Sequence, residues 1–250
     1  MENQPYLSVI IPAYKEGERM GRTLLEIQNY FNDKNYEWEI LIVVDGSPDN
    51  TAEIGRNYAN QIKNIRVIEN KENHGKGYVV RQGLLEARGK LRLFMDADGS
   101  TSITHLDKFL PEFEKGHDVV IGSRNIEGAF VQIHQGKMRE IMGRCGNLMI
   151  KMVLGLWKYS DTQCGFKIVS NEVVNKVVRK TTIDRFGFDF ELIKLAEISG
   201  FKIKQMPVRW LNEEETSVTL TGPNGFIQAL FDLFKTRCKL LIGKYNPKTK

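Results

Sequence analysis

Four short apolar runs, LSVIIP at residues 7–12, EILIVV at 39–44, IRVI at 65–68 and LRLFM at 91–95, are separated by segments with helical periodicity. A strand buried on both faces reads as a near-continuous apolar run, and a helix between two strands makes the crossover that parallel pairing needs. The chain is therefore expected to fold as an α/β protein with a mostly parallel central sheet and helices on both faces. Residues 19–31 place Met20, Leu24, Ile27 and Phe31 at near-helical spacing, and residues 51–59 follow a Ser-Pro-Asp-Asn turn able to cap a helix. Both read as crossover helices.

Farther along, DVVIG at 118–122 predicts another strand, followed by a polar, Gly-containing stretch at 123–137 with Phe130 and Val131 at its middle. An irregular segment of that length in a compact domain is usually a functional loop. Helices are expected over 138–156 and 188–198, and strands over 163–169 and 201–208. Residues 226–243 set Phe226, Ile227, Leu230, Phe231, Leu233 and Phe234 beside Lys235, Arg237 and Lys239. The pattern is an amphipathic helix with a basic end, suited either to packing on the domain or to docking on an anionic membrane face.

The 36 basic and 31 acidic side chains give a formal charge of +5. That balance suits anionic ligands such as nucleotides, phosphates or a lipid surface, without the clustering of a dedicated nucleic-acid binder. Cys145, Cys164 and Cys238 are odd in number and lack metal-ligand spacing, so neither a disulfide framework nor a zinc site is indicated. No signal-like segment precedes the first strand, and no window reaches the ~18 uncharged apolar residues that a membrane span requires. The expected location is the reducing cytoplasm, with peripheral attachment to the cytoplasmic membrane face as an extension of it.

Asp96-Ala97-Asp98-Gly99-Ser100 directly follows LRLFM, which puts two carboxylates at the carboxyl end of a parallel strand, where open α/β sheets bind ligands. Paired hard oxygens there suit Mg²⁺ or Mn²⁺ bridging to phosphate. A calcium loop also begins Asp-x-Asp, with Asp107 at its twelfth position, but it wants glycine where Thr101 stands and a helix where a strand precedes. Asp45 closes the second strand and can accept hydrogen bonds from a base or ribose. In Asn73-His74-Gly75-Lys76-Gly77, backbone N–H groups and the charges of Lys76 and Arg81 are placed to meet phosphate. The third glycine of the dinucleotide fingerprint is absent, Val80 standing there, and His74 has no assigned role.

The segments IPAYKE, VVDGSPDNT, NHGKGYVVRQG, DADGS, IGSRN, DTQCGFK and FGFDFEL, in this order, resemble the polyprenyl-phosphate sugar synthases among the family 2 glycosyltransferases, over about residues 7–210. DTQCGFK with GKG and DADGS is most similar to the glucosyl branch of that group, whose acceptor is dolichyl phosphate. The resemblance implies a Rossmann-like glycosyltransferase A fold and inverting transfer of a hexose from a nucleotide-diphosphate sugar, UDP-glucose ahead of GDP-mannose, to a polyprenyl or dolichyl phosphate. The expected organisation is a catalytic domain over 1–222 followed by the C-terminal amphipathic helix and basic tail over 223–250. Pro12, Tyr14, Glu16, Asp45 and Lys76 would line the nucleotide-sugar pocket, and Asp96 and Asp98 would hold the Mg²⁺ or Mn²⁺.

The resemblance also implies that Arg124 and Arg139 hold the acceptor phosphate, a task suited to guanidinium forks. Asp161 stands near the position of the general base in relatives with hydroxyl acceptors; with a phosphate acceptor, already ionised at pH 7, it would instead orient a cation. Asp98, Arg124 and Asp161 are thus the expected catalytic groups. Cys164 reads as a small buried hydrophobe. Asp189 and Glu191 flank Phe190 on a helix and do not share a face, so one is expected to reach the site, Asp189 by preference, while the other is solvated or caps. Lys15, Val44 and Ser100 depart from the family pattern. Two other functions fit fewer of these residues: transfer to a carbohydrate hydroxyl with Asp161 as base, and nucleotide-sugar binding without turnover.

Overall fold

The computed structural model describes residues 4–132, 137–211 and 223–245, without the side chains of 137–141 and 223–226. Its first half runs β1 (Leu7–Ala13), α1 (Met20–Asn32), β2 (Trp38–Asp45), α2 (Thr51–Gln61), β3 (Ile65–Asn70), α3 (Lys76–Glu86) and β4 (Leu91–Met95). The second half comprises α4 (Leu106–Phe109), α5 (Pro111–Glu114), β5 (Val119–Ser123), β6 (Phe130–Val131), α6 (Lys137–Leu154), β7 (Phe166–Ser170), α7 (Asn171–Lys176), α8 (Phe188–Ile198), β8 (Ile203–Pro207), β9 (Arg209–Trp210) and α9 (Pro223–Leu241).

Seven strands form one sheet in the order β3-β2-β1-β4-β7-β5-β8. Every pairing is parallel except those of β7, which runs antiparallel to both β4 and β5. After β1 the chain goes first to β2 on one side and later to β4 on the other. That reversal opens a crevice beyond the carboxyl ends of β1 and β4.

Alternating strand residues feed two cores. Ile10, Leu41, Val43 and Phe94 face α3, α6, α7 and α8, while Val9, Ile11, Ile40, Ile42 and Leu93 face α1 and α2. Each large aliphatic or aromatic side chain so buried contributes about 1.5–3 kcal/mol. On α1, Met20, Leu24, Ile27 and Phe31 form the inward stripe, and Phe31 stacks on Trp38 at 4.6 Å between ring centroids. On α3, Gly83 lies so close to β1 that a Cβ would stand 2.4 Å from Ile10 Cγ2. Any larger residue would lift α3, and with it the loop that leads into it.

Two expectations change in detail. The stretch at 123–137 is not wholly irregular, because β6 pairs in parallel with β9 in a separate two-stranded ladder. The strand expected over 163–169 begins only at Phe166, because the Gly165 carbonyl accepts the Asp96 amide where the chain turns into β7. The C-terminal helix, α9, packs along α6, and its Leu233 joins the core under α8. No helix among the described residues is long and apolar enough to cross a membrane.

Candidate active site

Asp96 and Asp98 leave the end of β4 into the crevice. A Cβ on Gly165, just before β7, would lie 1.9 Å from Asp96 Oδ2, so a larger residue would push this carboxylate out of its position. Lys76 Nζ donates to Asp96 Oδ1 at 2.5 Å, and Asp98 Oδ1 accepts from the Ser100 amide at 2.9 Å across a turn in which Gly99 has φ 71°. Burial, then the neighbouring charge of Asp96, raises the Asp98 pKa. Glu16 is pushed up to about 7 by burial, with Asp98 and Asp96 adding to the effect against the lowering influence of Arg19. Burial works to discharge Lys76, but Asp96, Asp189 and Asp98 together hold its pKa above the usual lysine range.

Burial makes these carboxyl groups costly to ionise, and the neighbouring aspartates add a smaller repulsion; a divalent cation would offset both. Among the described residues no group of three or more His, Cys, Asp or Glu side chains forms a complete metal cage. Mg²⁺ and Mn²⁺ sites in phosphate chemistry commonly use one or two carboxylates and complete the shell with substrate oxygens and water, so the Asp96/Asp98 pair fits such an ion.

Asp45 is 3% exposed, and its two oxygens accept from the His74 and Gly75 amides at 2.8 Å each. These are two of the N–H groups expected to meet phosphate; they hold the loop before α3 against the end of β2 instead. Arg81, also expected at phosphate, pairs with Asp184 at 2.5 Å. The His74 ring packs on Tyr78 at 4.4 Å between centroids. Lys76 alone of this motif turns its charge towards the carboxylates.

Pro12, near the end of β1 and paired with Val43, and Tyr14 and Glu16 in the turn that follows are placed beside the crevice by the pairing of β1 with β2. Lys15 sits there at φ 57°, a left-handed conformation that asparagine adopts more easily than lysine, and its amide donates to Ser47 Oγ at 2.8 Å. Asp49, which the sequence shows only as part of a turn, ties the two loops together. It accepts from Ser47 Oγ at 2.6 Å, from Thr51 Oγ1 at 2.6 Å and from the Gly17 amide at 3.2 Å. Burial would raise its pKa, but these hydrogen bonds bring it below the carboxylate norm.

Across the crevice, Arg124 follows β5. Its Nε and Nη2 donate to the two oxygens of Asp161 at 2.7 and 3.1 Å, and its guanidinium lies 5.5 Å from the Trp210 ring centroid. The amides of Arg124 and Gln163 complete the Asp161 shell. Burial alone would raise the Asp161 pKa; the Arg124 charge and these hydrogen bonds reverse that and hold it low. The side chain of Arg139 lies outside the described residues.

Cys164 is 1% exposed, and burial pushes its thiol up to about 11, as befits a packed hydrophobe. The expectation for Asp189 and Glu191 needs correction, because both are buried and neither is solvated or caps. Asp189 accepts from Lys167 Nζ at 2.5 Å, and Lys167 is fully buried, also donating to the Cys164 carbonyl. Glu191, on another side of α8, accepts from the Thr182 and Ile183 amides and from Tyr245 Oη beyond α9. Asp107, weighed above as a calcium ligand, is bound by Tyr30 and Lys34 instead.

Sequence reasoning missed Gly165, Lys167 and Asp49. A lysine inside the apolar run after Cys164 was a readable sign of a buried ion pair; the need for glycine at 165 was not, because its cause lies across the sheet at Asp96.

Residues 8–177 match the family described as Glycosyl transferase family 2. A dolichyl-phosphate β-glucosyltransferase of Trichomonas vaginalis is 32% identical, the alignment covering 93% of this chain and 73% of that protein. The Drosophila melanogaster protein of the same name is 31% identical, over 98% of this chain and 79% of its own length. Among solved structures, glucosyl-3-phosphoglycerate synthase from Mycobacterium tuberculosis, in complex with Mn²⁺, UDP-glucose and phosphoglyceric acid, superposes with a TM-score of 0.69. The match spans 94% of this chain and 80% of that one at 14% identity, a likeness of fold.

Proposed function

From the premise that this chain belongs to glycosyltransferase family 2, we propose that it transfers glucose from UDP-glucose, with inversion, to the phosphate of a polyprenyl lipid such as dolichyl phosphate. The observation that carries this reading is the Arg124–Asp161 pair. Both Asp161 oxygens are taken by a half-buried guanidinium and two amides, which leaves the buried carboxylate poorly suited to accept a proton from an incoming hydroxyl. A phosphate monoester arrives already ionised and needs no base. What it needs is an oriented cation, and Asp161 fixes the plane of Arg124.

In this mechanism Asp96 and Asp98 hold Mg²⁺ or Mn²⁺, which when bound supplies positive charge to the diphosphate leaving group. Tyr14, Glu16 and Asp45 bound the nucleotide end of the pocket, with Lys76 offering a second positive charge beside the carboxylates. Arg124, joined by Arg139, clamps the acceptor phosphate so that one of its oxygens attacks the anomeric carbon on the face opposite the diphosphate. The C–O bond to UDP breaks as the new C–O bond forms, UDP departs with the electron pair, and the anomeric configuration inverts. Rate enhancement comes from positioning and from charges fixed in place before the reaction.

The test is a donor panel assayed with a polyprenyl phosphate and Mg²⁺ or Mn²⁺, scored by the mass and anomeric configuration of the lipid product. A β-glucosyl phospholipid from UDP-glucose is expected. Transfer confined to carbohydrate hydroxyls, abolished by Asp161→Asn, would replace this reading with base-assisted transfer, and donor binding without product on any acceptor would make the chain a binding protein.

A further inference from the structure

On α9 the usual arrangement of an amphipathic helix is turned inside out. Ile227, Phe231, Phe234, Cys238 and Leu241, spaced four or three residues apart, form a single stripe, and that stripe faces outward. Phe231 is 67% exposed, Phe234 52% and Leu241 69%, with Ile242 continuing the patch at 74%. The inward side holds Asp232 and Thr236, both buried, with Leu233 between them.

This orientation is locked. Lys239 Nζ donates to Thr182 Oγ1 at 2.5 Å, and Tyr245 Oη to Glu191 at 2.5 Å. Asp232 lies close enough to Gly187 that an added Cβ there would sit 2.8 Å from its own Cβ. Rolling α9 to bury its apolar stripe would break these contacts and leave Glu191 without the tyrosine hydroxyl. Exposed apolar stripes of this extent on a fixed helix mark an interaction surface.

The neighbouring helix also exposes apolar residues. On α6, which packs along α9, Leu148 and Met152 stand one turn apart and are about half exposed, with Trp157 60% exposed just past the helix. Charge identifies the partner. At 3.6 residues per turn, Lys235 and Arg237 project roughly 80° to either side of the α9 stripe. Both are exposed, as is Lys244 beyond the helix. An apolar band bordered on both sides by cations matches a bilayer surface with anionic headgroups, into which the apolar residues sink while the cations meet phosphate.

We propose that the outward face of α9, together with Leu148, Met152 and Trp157, docks on an anionic lipid bilayer. The inference deepens the acceptor reading, since it brings the enzyme to the surface where a polyprenyl phosphate resides; docking itself is measured without turnover, so the two stand or fall separately.

The full-length protein is sedimented with vesicles of phosphatidylcholine alone and with vesicles that also carry phosphatidylglycerol, and its oligomeric state is followed by light scattering. Salt-sensitive binding to the anionic vesicles is expected. Phe231→Ser with Phe234→Ser should weaken it by about tenfold or more, with melting temperature and UDP binding unchanged. Lys235→Glu with Arg237→Glu should weaken it by roughly tenfold or more while abolishing the preference for anionic vesicles. Absence of binding, equal binding to both vesicle types, or binding indifferent to the phenylalanine substitutions overturns the proposal. So does a dimer that Phe231→Ser dissociates without any vesicle binding, which would assign the stripe to a second copy. Glucosyl transfer to a detergent-dispersed acceptor by the same preparation tests the function separately.

Discussion

On the β1–β4 side of the sheet, Asp45 and Asp98 are held by backbone amides and Asp49 by the Ser47 and Thr51 hydroxyls with the Gly17 amide, while Asp96, alone of these four, meets a side-chain cation, Lys76. On the side that contains β7, Asp161 and Asp189 are held chiefly by the side-chain cations Arg124 and Lys167. An amide-held carboxylate belongs to a preformed loop and needs no counter-charge. A cation-held one joins two separate segments, and it leaves a buried charge unmatched when either partner is lost. The donor half is therefore a rigid frame for a nucleotide and an ion, and the other half is a clamp whose parts depend on one another.

The largest expected effect lies in the donor half. Asp98→Asn should lower turnover by roughly 10³-fold and remove the metal dependence of donor binding. Stability of the metal-free protein should not fall, because burial and Asp96 already disfavour the Asp98 charge. Normal metal-dependent turnover in this variant would break the assignment of the ion to this pair.

Next comes the clamp half, through stability instead of rate. Lys167→Met leaves Asp189 buried without its cation and should cost about 3 kcal/mol in denaturant unfolding, whereas the double change with Asp189→Leu should recover most of that loss. If the double variant is as unstable as the single one, the pair is not the source of the cost.

Arg124→Ala should leave UDP binding by calorimetry intact while reducing acceptor use by about 10²-fold, a loss carried mainly by the acceptor kinetics. Equal losses in UDP affinity and acceptor use would dissolve the division between the two halves.

The smallest effect is a pH dependence at Glu16. Its folded pKa, near 7, lies above the ordinary 4.5, so its proton is held more tightly in the folded chain. Its contribution to stability is fully present below about 4.5 and is lost as pH rises through about 7. In chelator, Glu16→Gln should flatten the stability profile across that window and gain about 1–2 kcal/mol above it. An unchanged profile would place the protonation change elsewhere.

Much of the frame was legible because its causes are local. The apolar runs marked strands β1 to β4, and Phe188–Ile198 was anticipated at its observed limits. The carboxylates of DADGS could be placed at a strand end for the same reason. The amides of His74 and Gly75 were visible as donors, but their acceptor was not, since Asp45 lies about 30 residues earlier and meets them only when β2 and β3 pair.

The sequence by itself determined the alternation of strands and helices, the position of the paired carboxylates, and the existence of an amphipathic C-terminal helix, because periodicity and turn chemistry act over a few residues. Only the tertiary structure decided that Gly165 must be small to admit Asp96, that Asp189 and Glu191 are both buried against partners on different sides of α8, and that α9 presents its apolar stripe to the outside. Each of these depends on which distant segments the sheet order brings together, and burying a charge or fixing the roll of a helix is settled by such partners, not by the pattern of the segment alone.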